Sequence, residues 1–135
     1  MRGVDKYLAK ALEYITDNLS LFSKPGSSAI QKAYKGYVAS FGTIVKQSGL
    51  LPAVVLFSKS SEDDENTRRG DASKRPIVNA IYAMLQSETN LVDAEDQPDL
   101  VSFAQAHQNS SLARREVIYA AIALKLAMRT FEIEK

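Results

Sequence analysis

The sequence predicts an all-α fold: a single-domain compact bundle of about five to six helices. Apolar residues recur at helical spacing in one window after another, and glycine, proline and serine fall at the joints between windows. The one strand-like run, Ala53 to Phe57, has no second run to pair with. A length of 135 residues with 45% apolar content suits one domain with its own core.

Val4, Tyr7, Leu8, Ala11, Leu12, Ile15 and Leu19 make the first apolar stripe, with Lys6, Lys10, Glu13 and Asp17 on the other side. This helix is expected to end near Ser20, before the breaker Ser23-Lys24-Pro25-Gly26. Ser27 and Ser28 are N-cap candidates for a second helix with Ile30, Tyr34, Tyr37, Val38, Phe41, Ile44 and Val45 on one face. Its opposite face carries Lys32, Lys35 and Lys46, separated by Ser28, Gly36, Ala39 and Thr43. Side chains that small would let a phosphate chain come close. Gly49 suits a helix C-cap and Pro52 the first turn of a new helix, with Leu50-Leu51 as elbow and Pro52 to about Lys59 mostly buried. Leu50, Leu56 and Phe57 are its expected core contacts.

Residues 59–75 are polar and charged and are expected to form a mobile surface loop. Pro76 opens the next helix, with Ile77, Val78, Ile81, Met84 and Leu85 as its stripe. An acidic connection follows over 86–98, then a short helix from Pro98 to about His107. Ser110 or Ser111 caps a last helix running to about Glu132, whose stretch Val117 to Met128 holds one charge, Lys125. That stretch predicts the central core helix or a subunit interface.

Composition narrows the function. The absence of cysteine removes disulfides and thiolate metal sites. The charged start has no apolar signal segment, and no run reaches the ~18 apolar residues of a membrane span, so a cytoplasmic protein is expected. Net charge is only +1, but it is unevenly spread. Residues 1–61 hold eight Lys/Arg against three Asp/Glu, residues 62–109 four against ten, and residues 110–135 five against three. No acid lies between Asp17 and Glu62, which suggests a face offered to an anionic partner.

Catalytic material is sparse. His107, the only histidine, stands at a predicted helix end and suits a surface or capping role. No G-x-S-x-G, G-x-x-x-x-G-K-[ST] or G-x-G-x-x-G motif occurs, so neither an enzyme nor a bound cofactor is expected. Glu62-Asp63-Asp64-Glu65 reads as solvated loop. Asp93, Glu95, Asp96 and Asp99 fail the EF-hand pattern, with no glycine at its sixth position and Ala104 in place of the closing glutamate.

Tyr34-Lys35, Tyr37, Phe41 and Val45, then Ser48-Gly49-Leu50, then Leu56-Phe57 and Lys59, resemble the small helical subunit of the type III-B CRISPR Cmr effector complex. Glu116, Leu124, Leu126, Arg129 and Phe131 are similar to that family's final helix, although Ser48 stands where asparagine is commoner and no tryptophan is present. The resemblance implies a non-catalytic subunit in several copies, stacked head to tail beside the subunits that hold the guide RNA. It implies a basic surface on the guide–target RNA duplex while other subunits cut the target. On that basis Lys32, Lys35 and Lys46 are expected to contact the RNA backbone, together with Lys24, Lys59, Arg68, Arg69, Arg114 and Arg115. The expected partners are guide RNA, target RNA, other Cmr subunits and neighbouring copies, with no membrane. The alternative is a helical adaptor that binds only protein, through the last helix and the acidic connection. A helix-turn-helix DNA reader does not fit, because the elbow at Gly49 leads into an apolar helix.

Overall fold

In the computed structural model, which describes residues 2–58, 74–93 and 95–133, the first and last long helices lie against each other. The helices are α1 (Arg2–Asp17), α2 (Leu19–Phe22), α3 (Ala33–Ser48), α4 (Leu50–Ser58), α5 (Arg75–Glu88), α6 (Leu100–Ala106) and α7 (Ser111–Met128). The described residues form no strand, as the all-α reading expected, and α2 brings the helices to seven. The loop expected over 59–75 lies mostly outside the described residues.

α7 is the hub. It packs on α1, α3 and α5, while α4 packs on α3, α5 and α6. Ala113, Ala120, Ala121, Ala123 and Ala127 are all buried, and side chains this short let neighbouring helices approach closely. The sequence left α7 open between core and subunit interface, and its buried face makes it core. α1 buries Val4, Tyr7, Ala11 and Ile15, as its stripe predicts. A second focus is aromatic: Tyr14, Phe22, Tyr34, Tyr37, Phe57 and Phe41 form a chain of edge contacts with ring centroids 5.1–6.5 Å apart.

Several helix boundaries differ from the sequence prediction. α3 begins at Ala33, not at Ser27 or Ser28. The Ser27 Oγ instead accepts the Ala29 N–H, and the Lys24 carbonyl accepts the Ser27 N–H around Pro25-Gly26, where Gly26 has φ +82°. Proline then glycine at the two central positions is the type II turn pattern. Ile30 is unavailable to a helix because its N–H donates to the Glu132 carbonyl at 2.8 Å, while the Gln31 N–H donates to the Phe22 carbonyl at 2.7 Å. The same pairing shortens the last helix, which ends at Met128 rather than near Glu132 so that Ile133 can lie beside Ile30 as an isolated bridge. α4 starts at Leu50, two residues before the expected position, with Pro52 still in its first turn. One residue, Gly49 at φ +100°, separates α3 from α4, and its N–H caps the Val45 carbonyl. Leu56 is not core: it and Val55 are 45% and 44% exposed, and Val54 points inward instead.

Candidate nucleic-acid interface

Helical geometry gathers the lysines of α3. Lys35, Ala39, Gly42 and Lys46 are spaced four, three and four residues apart, so they fall within about 60° of arc. Lys32, at the N-cap position of α3, extends the same side, and Lys35 and Lys46 lie roughly 16 Å apart along the axis. All three lysines are exposed, as are Gly36, Ala39, Ser40 and Thr43 between them. A Cβ built on Gly36 or Gly42 would meet nothing within 4 Å, so this face is flat and open.

Tertiary packing adds what one helix lacks. α3 packs against α7 so that Lys46, in the last turn of α3, meets Ser111, Arg114, Arg115 and Ile118 from the first two turns of α7. These five residues line an open hollow of about 280 Å³. The α7 N-terminus adds partial positive charge at the same place, with Ser110 Oγ accepting the Ala113 N–H at 3.1 Å as its cap. Three of the nine predicted RNA-contacting residues therefore converge here, Lys46, Arg114 and Arg115. Lys35 and Lys32 continue the track along α3. Lys24 is exposed in the turn between α2 and α3 and does not line the hollow. Lys59, Arg68 and Arg69 lie outside the described residues.

The sequence reading named Glu116 only as part of the family resemblance and gave it no place behind this surface. Glu116 is buried at 4% exposure, and its Oε1 accepts the Tyr7 hydroxyl at 2.7 Å and the Lys6 ammonium at 2.5 Å. Its Oε2 lies 3.5 Å from Arg115 Nε. Burial opposes the charge, but the Lys6 and Tyr7 donors outweigh it and hold the carboxyl below its ordinary range. The Tyr7 hydroxyl is pushed well above the usual phenol range by its own burial and by the carboxylate it serves. The arginine guanidinium also lies over the Tyr119 ring at 6.0 Å. Arg115 is thus held from behind, whereas Lys35, Lys46 and Arg114 form no ion pair among the described residues. A signal for Glu116 was available: at 100° per residue it lies on the arc of Ala113, Val117, Ala120 and Ala127. Lys74 was also missed. It reaches over both Tyr37 and Phe57, 5.4 Å from each ring centre.

The residues weighed for catalysis are occupied otherwise. His107 is the C-cap residue of α6, with its ring 4.5 Å from that of Phe103. α6 starts at Leu100 rather than Pro98, with Asp99 as its N-cap, whose Oδ1 accepts both the N–H and the hydroxyl of Ser102 at 2.8 Å. Those two bonds hold the Asp99 carboxyl below its ordinary range. Asp93 Oδ1 accepts the Glu95 N–H in a local turn. Among the described residues no three His, Cys, Asp or Glu side chains are grouped as a metal site. Nor is any helix there long and apolar enough to cross a membrane.

A family model described as CRISPR-associated protein (Cas_Cmr5) matches residues 5–129. No curated protein and no solved structure gives a significant match.

Proposed function

The chain belongs to the Cas_Cmr5 family of CRISPR-associated proteins, and from that premise we propose that it is a small, non-catalytic subunit of a type III-B Cmr effector complex. Its task there is to hold the guide–target RNA duplex by its phosphates, in the cytoplasm, while other subunits carry the chemistry. The observation that carries this reading is the meeting of Lys46, Arg114 and Arg115 at the α3–α7 seam, continuous with Lys35 on an open face. Lys35, Lys46 and Arg114, exposed and without ion pairs among the described residues, suit a backbone of regularly spaced negative charge. Copies of the subunit stack within the complex, and the exposed apolar pair Val55 and Leu56 on α4 supplies surface for protein contacts of that kind.

The experiment is charge reversal at Lys35, Lys46 and Arg114, with target-RNA binding by the assembled complex measured across a salt series. Loss of about three phosphate contacts per subunit should lower affinity and flatten the log–log salt dependence by ~2–3. Unchanged affinity together with an unchanged slope would refute RNA holding. It would leave the protein-only adaptor, for which assembly into the complex is the remaining readout.

A further inference from the structure

The hollow at the α3–α7 seam is more than a cluster of cations, and we propose that it seats one unpaired nucleotide, with its phosphate on Lys46 and Arg114 and its base against Ile118. The inference rests on the reading of this protein as an RNA-contacting subunit and adds a substrate unit to it. A groove that follows a duplex backbone needs no concavity, yet this site is a hollow, open on one side, of about 280 Å³, near the ~300 Å³ lower end of small-molecule clefts. Its lining is divided in character. Lys46 and Arg114 are exposed cations without ion pairs among the described residues, and the α7 N-terminus favours an anion beside them. Ile118 is half-buried and apolar, of no use to a phosphate but a fit for the face of a base.

Arg115 supplies the third wall. Its Nε is engaged by Glu116 at 3.5 Å and its guanidinium is backed by the Tyr119 ring at 6.0 Å, so a planar group is held at the rim. Unpaired bases stack on such guanidinium planes as they do on aromatic rings. The Ser111 hydroxyl can donate or accept toward a base edge or a ribose. Among the described residues no acidic side chain lines the hollow, and the Glu116 carboxylate behind it is engaged by Tyr7, Lys6 and Arg115. A base-paired nucleotide has both faces stacked and its edge occupied, so only an unpaired one can use Ile118 and Arg115 together.

The test is an NMR titration of the isotope-labelled full chain with uridine monophosphate, inorganic phosphate and a polyglutamate peptide in separate series. The nucleotide should shift the amides of Lys46, Ser111, Arg114, Arg115 and Ile118 and bind ~10-fold more tightly than phosphate, the gain expected from one base contact. Ile118→Ser should erase that preference and leave phosphate binding intact. Lys46→Ala, at an exposed position that does not endanger the fold, should weaken both ligands. Equal affinity for nucleotide and phosphate, shifts confined to another face, or tighter binding of the peptide to these same amides would each overturn the proposal. None of those results touches the duplex-holding reading, which stands or falls on the salt series in the assembled complex.

Discussion

Replacing Glu116 is the most informative single perturbation, because the carboxylate ties the first helix to the last across 109 residues of sequence. The Tyr7 hydroxyl is fully buried and lies 2.7 Å from Oε1, and a hydrogen bond to a charged acceptor contributes ~1.5–3 kcal/mol. The Lys6 ammonium is 2.5 Å away but 40% exposed, so after solvent screening it adds ~0.5–1 kcal/mol. Glu116→Ala loses both and leaves a buried hydroxyl without an acceptor, for a total near ~3–4 kcal/mol. Tyr7→Phe leaves the carboxylate its Lys6 partner and should cost ~1–2 kcal/mol. In the double variant no hydroxyl is orphaned, so the combined loss should fall short of the sum by ~1–2 kcal/mol. Urea unfolding of the four proteins at neutral pH measures this cycle. The pH dependence has a defined sign. The folded carboxyl titrates below its unfolded value, so its contribution is complete above the ordinary carboxylate range and is lost as pH falls through the folded value. Wild type and Glu116→Gln should therefore converge in stability in acid. Additivity within ~0.5 kcal/mol, or a gap that does not narrow on acidification, would refute the coupling.

Other substitutions test the backbone and the aromatic chain. Gly49→Ala forces a side chain into φ +100° at the one-residue hinge between α3 and α4, and thermal melts should show a loss of ~1–2 kcal/mol. Gly36→Ala lies in a helix interior with open space around its Cβ, so it should stabilise by ~0.5–1 kcal/mol. Phe57→Ala empties a position touching both Phe41 and Tyr37, and urea unfolding should report a loss of ~3–5 kcal/mol. In alkali, Tyr34 is pushed up to about 12 by burial and by Tyr37, so the unfolded chain ionises first. Stability should therefore decline as pH rises from the ordinary phenol value toward that point, followed by phenolate absorbance alongside circular dichroism.

The apolar stripes of α1, α3 and α5 were legible because burial there follows one-dimensional periodicity, and Gly49 was legible because its chemistry is local. What the sequence concealed depends on distant partners. Ser27 resembles a helix cap until Ile30 is claimed by the Glu132 carbonyl, a bond spanning the chain that also ends α7 early. Leu56 and Val54 compete for one inward position on α4, and composition alone does not choose between them. At the site, the arc of Lys32, Lys35 and Lys46 follows from helical spacing. Arg114 and Arg115 were named with the family resemblance, and only the seating of α3 on α7 brings them to Lys46. Glu116 was named with the family resemblance, but its burial, though readable on the helical wheel, was not, because a charged residue is presumed to face water.

The packing of α1 on α7 also bears on how the protein comes to be made. Among the described helices α1 comes earliest in the chain and has its principal partner in α7, so α1 through α6 without α7 leave that face open. Until Glu116 has left the ribosome Tyr7 has no carboxylate, and until the rest of α7 follows the apolar side of α1 lacks its principal partner. Distant pairing of this kind must meet a loop-closure cost before it is rewarded, which prolongs the exposure of the apolar surface it covers. In the nascent chain the apolar face of α1 is therefore expected to stay partly uncovered until α7 is made.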